Sequence, residues 1–273
     1  MANAGDLYLD LMKRMLTRSG FEDNHVITPG GSGWKHRIAD PALQFLARRD
    51  FQLVRNVTTD ASLREEGRDW PLSAETMIGL RRLDNLQHCI ETVIADDVPG
   101  DLIETGVWRG GAAILMRAVL AAHDVTNRTV WVADSFRGLP DPDVARYPAD
   151  EGDRHSTFKE LAVSADEVRA NFAKYHLLDD QVRFLEGWFA DTLPTAPIDQ
   201  LSVARLDGDM YGSTWDAITA LYPKLSPGGF LIVDDYGCVP GCAKAIEDYR
   251  VENEITEPIE EIDWTGAFWR KRR

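Results

Sequence analysis

The chain has 273 residues, of which 44% are hydrophobic and 27% are charged, values typical of an ordinary globular protein. This composition excludes disordered and fibrous classes, and a formal net charge of −15 disfavours binding to the phosphate backbone of a nucleic acid. No apolar run approaches the roughly 20 residues of a membrane span, and the three cysteines together with an N-terminus unlike a signal peptide favour a cytoplasmic location.

The first hundred residues have a helical character of their own. Residues 5–18 and 73–95 show helical periodicity, whereas 20–70 is polar and irregular. The total length suits one α/β domain with an extension. We therefore predict a helical extension that caps the substrate site over residues 1–97, and a cofactor-binding catalytic domain over 98–273.

From about residue 101 onward, short β-rich runs alternate with helical patterns. This alternation is typical of a parallel sheet covered on both faces, so the predicted fold class is doubly wound α/β with a mostly parallel sheet. Strands are predicted at 101–107, 128–134, 181–186, 201–207 and 229–235. Helices are predicted at 110–122, 164–175, 212–224 and 240–251.

Three connecting segments also carry predictions. The breaker cluster LSPGG at 225–229 is expected to end a helix before the next strand. Residues 253–262 and 264–271 are expected to form two last strands at a partly antiparallel edge, where Pro258 is tolerated. The segment 141–160 is longer than an ordinary connection, which is typical of a lid or a binding element.

The first chemical signal is a glycine-containing turn after the first predicted strand. It consists of Glu104, Thr105, Gly106, Val107, Trp108, Arg109, Gly110 and Gly111. Ligands of open α/β sheets bind beyond the carboxyl ends of the strands, and glycines let a ligand approach the backbone, so a nucleotide-like cofactor is expected here. The spacing is neither G-x-G-x-x-G nor a phosphate loop, which disfavours a dehydrogenase or a nucleotidase. The alternative is a tight turn without a ligand.

Two further strand ends point to the same cofactor. Asp134 ends the second predicted strand, where a carboxylate commonly accepts hydrogen bonds from ribose hydroxyls. It could instead cap the following turn with Ser135. Gly187, Trp188 and Phe189 follow the third predicted strand, and their aromatic rings could line a slot for a flat base or simply fill the core.

The strongest signal is a pair of acidic strand ends. Asp207 and Asp209 follow one apolar strand, and Asp234 and Asp235 follow the next. Four carboxylates brought together would repel one another unless a cation neutralised them, and oxygen ligands suit Mg²⁺ first, then Mn²⁺ or Ca²⁺. We predict that Asp207, Asp234 and Asp235 bind the metal. The alternative is that each carboxylate separately caps a helix or a turn.

The motifs ETGVWRGG, VADSFRGLP, LEGWFADTLP, LDGDMYGSTWDA and GGFLIVDDYG resemble those of the macrocin O-methyltransferase-like family, over residues 68 to the C-terminus. The resemblance implies a class I methyltransferase fold, S-adenosylmethionine, a divalent metal, a glycosylated natural product of antibiotic biosynthesis as substrate, and a homodimer. By likeness, Gly106 and Gly110 are the cofactor glycines and Asp134 is the ribose carboxylate. The metal aspartates correspond to Asp207, Asp234 and Asp235, and the general base corresponds to Asp209.

Other functions remain open from the sequence. Metal-dependent methyltransferases of phenols or catechols share the acidic strand ends, but their usual base is a lysine three positions after the first metal aspartate, and here that position is Met210. A nucleotide-binding oxidoreductase and a cofactor-binding scaffold without activity are alternatives from other classes. Asp209 could orient the metal site without acting as the base, and His155 is a less favoured base because a histidine in a polar loop is usually solvated.

Overall fold

The computed structural model describes residues 3–21, 23–27, 34–49, 51, 53–57 and 60–272. In this part of the chain, a seven-stranded sheet lies between two layers of helices, which confirms the doubly wound α/β class. The helices are α1 (Ala4–Thr17), α2 (Trp34–Ala47), α3 (Ala61–Glu66), α4 (Leu80–Ala95), α5 (Gly111–Ala122), α6 (Ala165–Lys174), α7 (Phe189–Thr192), α8 (Tyr211–Leu221) and α9 (Pro240–Glu252). Among them, none is both long and apolar enough to cross a membrane.

The large sheet has the strand order β5-β4-β3-β6-β7-β9-β8. The strands are β1 (Asp23–Ile27), β2 (Leu53–Val57), β3 (Asp101–Thr105), β4 (Val130–Asp134), β5 (Val182–Glu186), β6 (Leu201–Leu206), β7 (Leu225–Val233), β8 (Glu260–Glu261) and β9 (Ala267–Arg270). The five neighbouring strands β5, β4, β3, β6 and β7 are parallel, so their carboxyl ends meet along one edge of the sheet. That edge holds the candidate site.

Two hydrophobic clusters cover the two faces of the sheet. One contains side chains of α1, α4, α5 and α6, and the other contains side chains of α8 and α9. Leu9 and Leu16 of α1 and Leu83 of α4 are fully buried in the same cluster as the apolar residues of α5. Helices α1 and α4 therefore share the core of the sheet, and the division at residues 97 and 98 stays a prediction.

The segment 20–70 is more regular than predicted. It contains α2, α3 and the antiparallel pair of β1 and β2, while residues 22, 28–33, 50, 52 and 58–59 lie outside the described part of the chain. The prediction was wrong because β1 and β2 have only five residues each and α2 carries Pro41 inside it, so neither type of element gave a clear period.

The helix predicted at 73–95 begins only at Leu80. The preceding residues run non-helically between α1 and α5, because Glu75 donates its N–H to the carbonyl of Leu16 and accepts the N–H of Gly111. Gly79 ends this stretch in close contact with the backbone of Gly67, where a Cβ would lie 2.4 Å from its nitrogen. These tertiary contacts therefore keep the residues before Leu80 out of the helix, although their sequence has a helical period.

The C-terminal predictions need two corrections. The LSPGG cluster does not separate α8 from the next strand but begins β7 itself, after a 3₁₀ turn at Tyr222–Lys224. A register shift opposite Leu201 and Val203 accommodates it. The last two strands are antiparallel and reach the edge of the sheet as predicted, but β8 and β9 are much shorter than expected and Pro258 lies before β8.

Candidate active site

The tips of β3, β6 and β7 are joined by backbone hydrogen bonds that place the predicted motifs side by side. The N–H of Asp207 donates to the carbonyl of Thr105, and the N–H of Asp234 donates to the carbonyl of Leu206, both at 2.9 Å. Above these tips lies a cavity of about 610 Å³. Its lining includes the predicted residues Glu104, Gly106, Val107, Trp108, Asp134, Ser135, Gly187, Trp188, Phe189, Asp207, Asp209, Asp234 and Asp235.

Gly106 is the closest point between the glycine turn and the acidic strand end. Its φ is +82°, and a Cβ at this position would lie 1.7 Å from the carbonyl oxygen of Asp207. Only glycine fits both the left-handed backbone and this distance. The first strand tip therefore supports the peptide of Asp207 directly.

We expect Gly106→Ala to lower the free energy of unfolding by at least about 2 kcal/mol, because overpacking adds to the cost of the left-handed backbone. The control is Gly20→Ala, since Gly20 has a φ of +85° and open space where a Cβ would be. It should lose only about 1 kcal/mol, the backbone cost alone. Urea unfolding of both variants measures the difference, and equal losses would contradict the steric argument.

Two of the predicted cofactor residues do not line the cavity. Thr105 is fully buried and its Oγ1 donates to the carbonyl of Arg205 at 3.5 Å. Gly110 caps α5 at φ +88°, packed against Val168. These two residues shape the turn, and their direct contact with a cofactor stays a prediction.

Trp108 connects the glycine turn to other parts of the site. Its backbone is left-handed, with φ +47°, and its indole N–H donates to the carbonyl of Glu160 at 2.9 Å. Its ring packs edge-on against Trp70, with the ring centroids 6.4 Å apart. The turn thereby touches both the segment before α4 and the long connection between β4 and α6.

Asp134 caps the following turn, which is one of the two alternatives from the sequence, and its contact with a ribose stays a prediction. Its Oδ1 accepts the N–H of Phe136 at 2.7 Å, which caps the following turn, and its Oδ2 accepts the N–H of Val107 at 2.8 Å. Burial raises the pKa of this carboxyl group. Oδ1 also faces Ser135 Oγ at 3.5 Å, whereas Oδ2 has a further lone pair that could accept a hydrogen bond from a hydroxyl group in the cavity.

Glu104 lies at the floor of the cavity and is only 2% exposed. Its Oε1 accepts a hydrogen bond from Arg205 Nη1 at 2.7 Å, whereas Oε2 is buried without a hydrogen bond in the described part of the chain. Burial raises the pKa of Glu104 to about 8. The second oxygen is therefore a buried acceptor in a residue that lines the cavity.

The predicted metal aspartates converge. Asp207, Asp234 and Asp235 each contribute one carboxylate oxygen, and these oxygens all lie within 4.8 Å of one another. Burial and the neighbouring carboxylates raise the pKa of Asp207 to about 7 and also raise the pKa of Asp235. Such crowding of oxygen donors is the electrostatic situation that a hard cation relieves.

Asp209 stands beside this cluster in an unusual conformation. Its φ is +53°, its N–H donates to Asp235 Oδ2 at 3.2 Å, and its side chain is 23% exposed toward the cavity. Burial raises its pKa to about 6. A carboxylate held in this way can accept a proton from a ligand near pH 7.

A sequence profile described as Macrocin-O-methyltransferase (TylF) matches residues 5–271, nearly the whole chain. This chain belongs to the macrocin O-methyltransferase family. It is therefore an O-methyltransferase with the class I methyltransferase fold, and its family implies S-adenosylmethionine as the methyl donor. The alternatives of an oxidoreductase and of an inactive scaffold are set aside.

Members of the macrocin O-methyltransferase family with known activities match over nearly their full lengths. The demethyldecarbamoylnovobiocin O-methyltransferase of Streptomyces niveus is 51% identical over 271 residues, which cover 98% of this chain and 94% of the relative. The 8-demethyl-8-(2,3-dimethoxy-alpha-L-rhamnosyl)-tetracenomycin-C 4'-O-methyltransferase of Streptomyces olivaceus is 52% identical over 269 residues, with coverages of 98% and 94%. The solved structure of the O-methyltransferase NovP has a TM-score of 0.84 and 49% identity, covering 98% of this chain and 100% of that chain.

This macrocin O-methyltransferase family member also has site residues that sequence reasoning missed. Arg205 of β6 is almost fully buried and contacts Glu104, Asp207 and Asp234. Arg82 of α4 is buried as well and contacts Asp234 and Asp263. The signal for Arg205 was a charged residue inside an otherwise apolar strand, whereas Arg82 lies 152 residues from Asp234 and gave no signal.

Proposed function

We propose that this enzyme transfers a methyl group from S-adenosylmethionine to a sugar hydroxyl of a glycosylated natural product in antibiotic biosynthesis, with Mg²⁺ held by Asp207, Asp234 and Asp235. Asp209 is the general base. The observation that carries the proposal is the convergence of the three metal aspartates and Asp209 on the same cavity as Gly106 and Asp134.

The cofactor end of the cavity fits S-adenosylmethionine. Asp134 offers acceptor capacity for ribose hydroxyls, Trp188 and Phe189 offer aromatic faces for the base, and Glu104 Oε2 offers an acceptor for a charged amino group. The glycine turn brings the backbone of Gly106 to the cavity without a side chain. These groups would hold the donor methyl beside the acidic strand ends.

The acidic end fits a divalent cation. Its donors are all carboxylate oxygens, which suit Mg²⁺ or Mn²⁺ better than softer metals. Arg205 and Arg82 bind the two oxygens of Asp234 from the protein side. Because each carboxylate oxygen has a second lone pair, these arginines would orient Asp234 and still leave a lone pair for the metal.

A bound cation would act as a Lewis acid that stabilises negative charge developing on the acceptor oxygen. The protein supplies the remaining chemistry. Asp209 removes the proton from the acceptor hydroxyl as that oxygen attacks the methyl carbon, and the methyl–sulfur bond breaks with its electron pair left on sulfur. The walls of the cavity align the two reacting atoms, which can contribute several kcal/mol to catalysis.

A sugar hydroxyl is favoured over a phenol for two reasons. The relative from Streptomyces olivaceus is named for a rhamnosyl substrate, and the relative from Streptomyces niveus for demethyldecarbamoylnovobiocin. In addition, the position where phenol methyltransferases carry a lysine is Met210, which is 2% exposed and has no basic group. Methylation of a phenol or catechol remains the second candidate.

The assembly and location are also proposals. Leu7 and Leu11, four residues apart on α1, are 61% and 57% exposed, and a second copy of the chain would cover them in a homodimer. The cytoplasmic location stays a prediction from the three cysteines, all of which are unpaired thiols.

The direct test is incubation with S-adenosylmethionine, Mg²⁺ and a panel of glycosides, each paired with its own aglycone. We expect a mass gain of one methyl group on a glycoside and none on its aglycone. Removal of divalent metal with EDTA should lower turnover about 100-fold or more, because the Lewis-acid contribution amounts to several kcal/mol. Added Mg²⁺ should restore it.

Metal binding can be measured separately from turnover. Calorimetric titration with Mn²⁺ should give a dissociation constant at least about 10-fold weaker for Asp235→Asn than for the wild type, as for loss of a ligand. The exposed Asp199→Asn serves as the control, with no change. Methylation of aglycones alone, or full turnover without metal, would refute the proposal.

A further inference from the structure

The long connection between β4 and α6 carries its own contribution to the site. It contains Asp150, which is 3% exposed and accepts the N–H groups of Tyr211 and Gly212 at 2.7 and 2.9 Å. These two residues form the first turn of α8, directly after Asp209 and Met210. The connection is therefore attached next to the proposed general base.

His155 lies five residues beyond this attachment and lines the cavity. Its backbone N–H donates to Asp153 Oδ1 and its Nδ1 bonds with Asp153 Oδ2, both at 2.8 Å. The ring also packs edge-on against Phe158, with centroids 5.8 Å apart. Asp153 thus holds the backbone of His155 with Oδ1 and the imidazole with Oδ2, and these contacts together with Phe158 orient the ring.

In this orientation the other ring nitrogen faces the proposed base. His155 Nε2 lies 3.8 Å from Asp209 Oδ1, and the imidazole is 29% exposed. When Nδ1 carries the proton shared with Asp153, Nε2 has a free lone pair directed at Asp209. The imidazole is therefore a partly exposed proton acceptor next to Asp209.

We propose that His155, oriented by Asp153, is a positioning residue that accepts a hydrogen bond from the protonated Asp209 carboxyl group and conducts its proton to solvent after each methyl transfer. The inference rests on the proposed function, in which Asp209 is the general base. The acceptor O–H breaks as an O–H forms on Asp209; that O–H then breaks as N–H forms at Nε2, giving an imidazolium. Water removes the same proton from Nε2, so His155 and Asp209 return to their initial states.

The test compares His155→Ala and His155→Gln with the control His88→Ala, a histidine exposed on α4. With the acceptor that the wild type methylates, we expect kcat to fall about 10- to 100-fold in both His155 variants, as for loss of an orienting partner. The KM of the acceptor and the affinity for S-adenosylhomocysteine should stay unchanged. Free imidazole in the buffer should restore kcat of His155→Ala but not of Asp209→Asn.

A second measurement does not depend on turnover. The Nδ1 proton bonded to Asp153 should give a downfield proton NMR signal that is lost in Asp153→Asn and in His155→Gln and kept in His88→Ala. The proposal is overturned if His155→Ala keeps kcat within about twofold, or if its loss of kcat comes with lost cofactor affinity and no imidazole rescue. A wild type that methylates no glycoside, or a fully active Asp209→Asn, would refute the proposed function instead.

Discussion

Replacing Asp209 by asparagine should lower kcat by about 10²- to 10⁴-fold, the usual contribution of a general base. Asparagine keeps the size of the side chain and tolerates the left-handed backbone at φ +53°, so the fold should be maintained. It cannot accept the proton of the acceptor hydroxyl. Steady-state kinetics at saturating S-adenosylmethionine and Mg²⁺ measure the effect.

Two comparisons separate this role from metal binding. Asp207→Asn should weaken the affinity for Mn²⁺, whereas Asp209→Asn should leave it within a few-fold of the wild type, because only Asp207 belongs to the converging metal cluster. Asp199→Asn, an exposed aspartate, should keep full activity. If Asp209→Asn lost metal affinity to the same extent as Asp207→Asn, Asp209 would be assigned to the metal site and the base would have to be sought elsewhere.

Replacing Arg205 by methionine is expected to lower the free energy of unfolding by about 3–5 kcal/mol, the range for breaking a buried ion pair. The guanidinium contacts Glu104, Asp207 and Asp234 in the interior, and without it these carboxylates would be buried with too little positive charge. Methionine fills the space but supplies no donor. Equilibrium unfolding in urea measures the loss.

The size of this loss should depend on pH. Burial raises the pKa of Glu104 to about 8, so this carboxyl group keeps its proton to a higher pH in the folded protein than in the unfolded chain. The folded protein therefore loses stability as the pH rises toward and through the folded-state pKa of Glu104. Without Arg205 the effect should grow, and the variant should recover stability as the pH is lowered. Arg183→Met on β5, an exposed position, should change stability by less than about 0.5 kcal/mol at any pH. A pH-independent loss for Arg205→Met would contradict the electrostatic explanation.

Much of the catalytic sheet could be predicted because each of its strands and helices has a recognisable local pattern of apolar and polar residues. The five parallel strands are apolar runs followed by polar residues, and their order along the chain places their carboxyl ends at one edge. The segment 20–70 and the start of α4 could not be predicted in the same way. Their structure depends on contacts such as those of Gly79 with Gly67, which have no period in the sequence.

The residues of the candidate site also fall into those that a local pattern predicts and those that only tertiary contacts bring in. Asp207, Asp234 and Asp235 follow apolar strands, so the sequence alone placed them together. The residues that orient them come from distant segments: Arg82 reaches Asp234 from α4, and His155 reaches Asp209 from the β4–α6 connection. No spacing rule connects such residues, because tertiary packing alone brings them together.

The contact between Gly106 and the carbonyl of Asp207 has a consequence for protein engineering. The proposed donor and cation sites meet at this peptide, so a substitution that reshapes either is expected to disturb the other. Libraries aimed at new acceptors should therefore spare the strand tips and diversify the surrounding connections, for example near Trp70, Phe158 and Trp264, which are exposed around the same cavity. The residues proposed to carry out methyl transfer would then stay constant, while the residues around the cavity entrance are changed for each new glycoside.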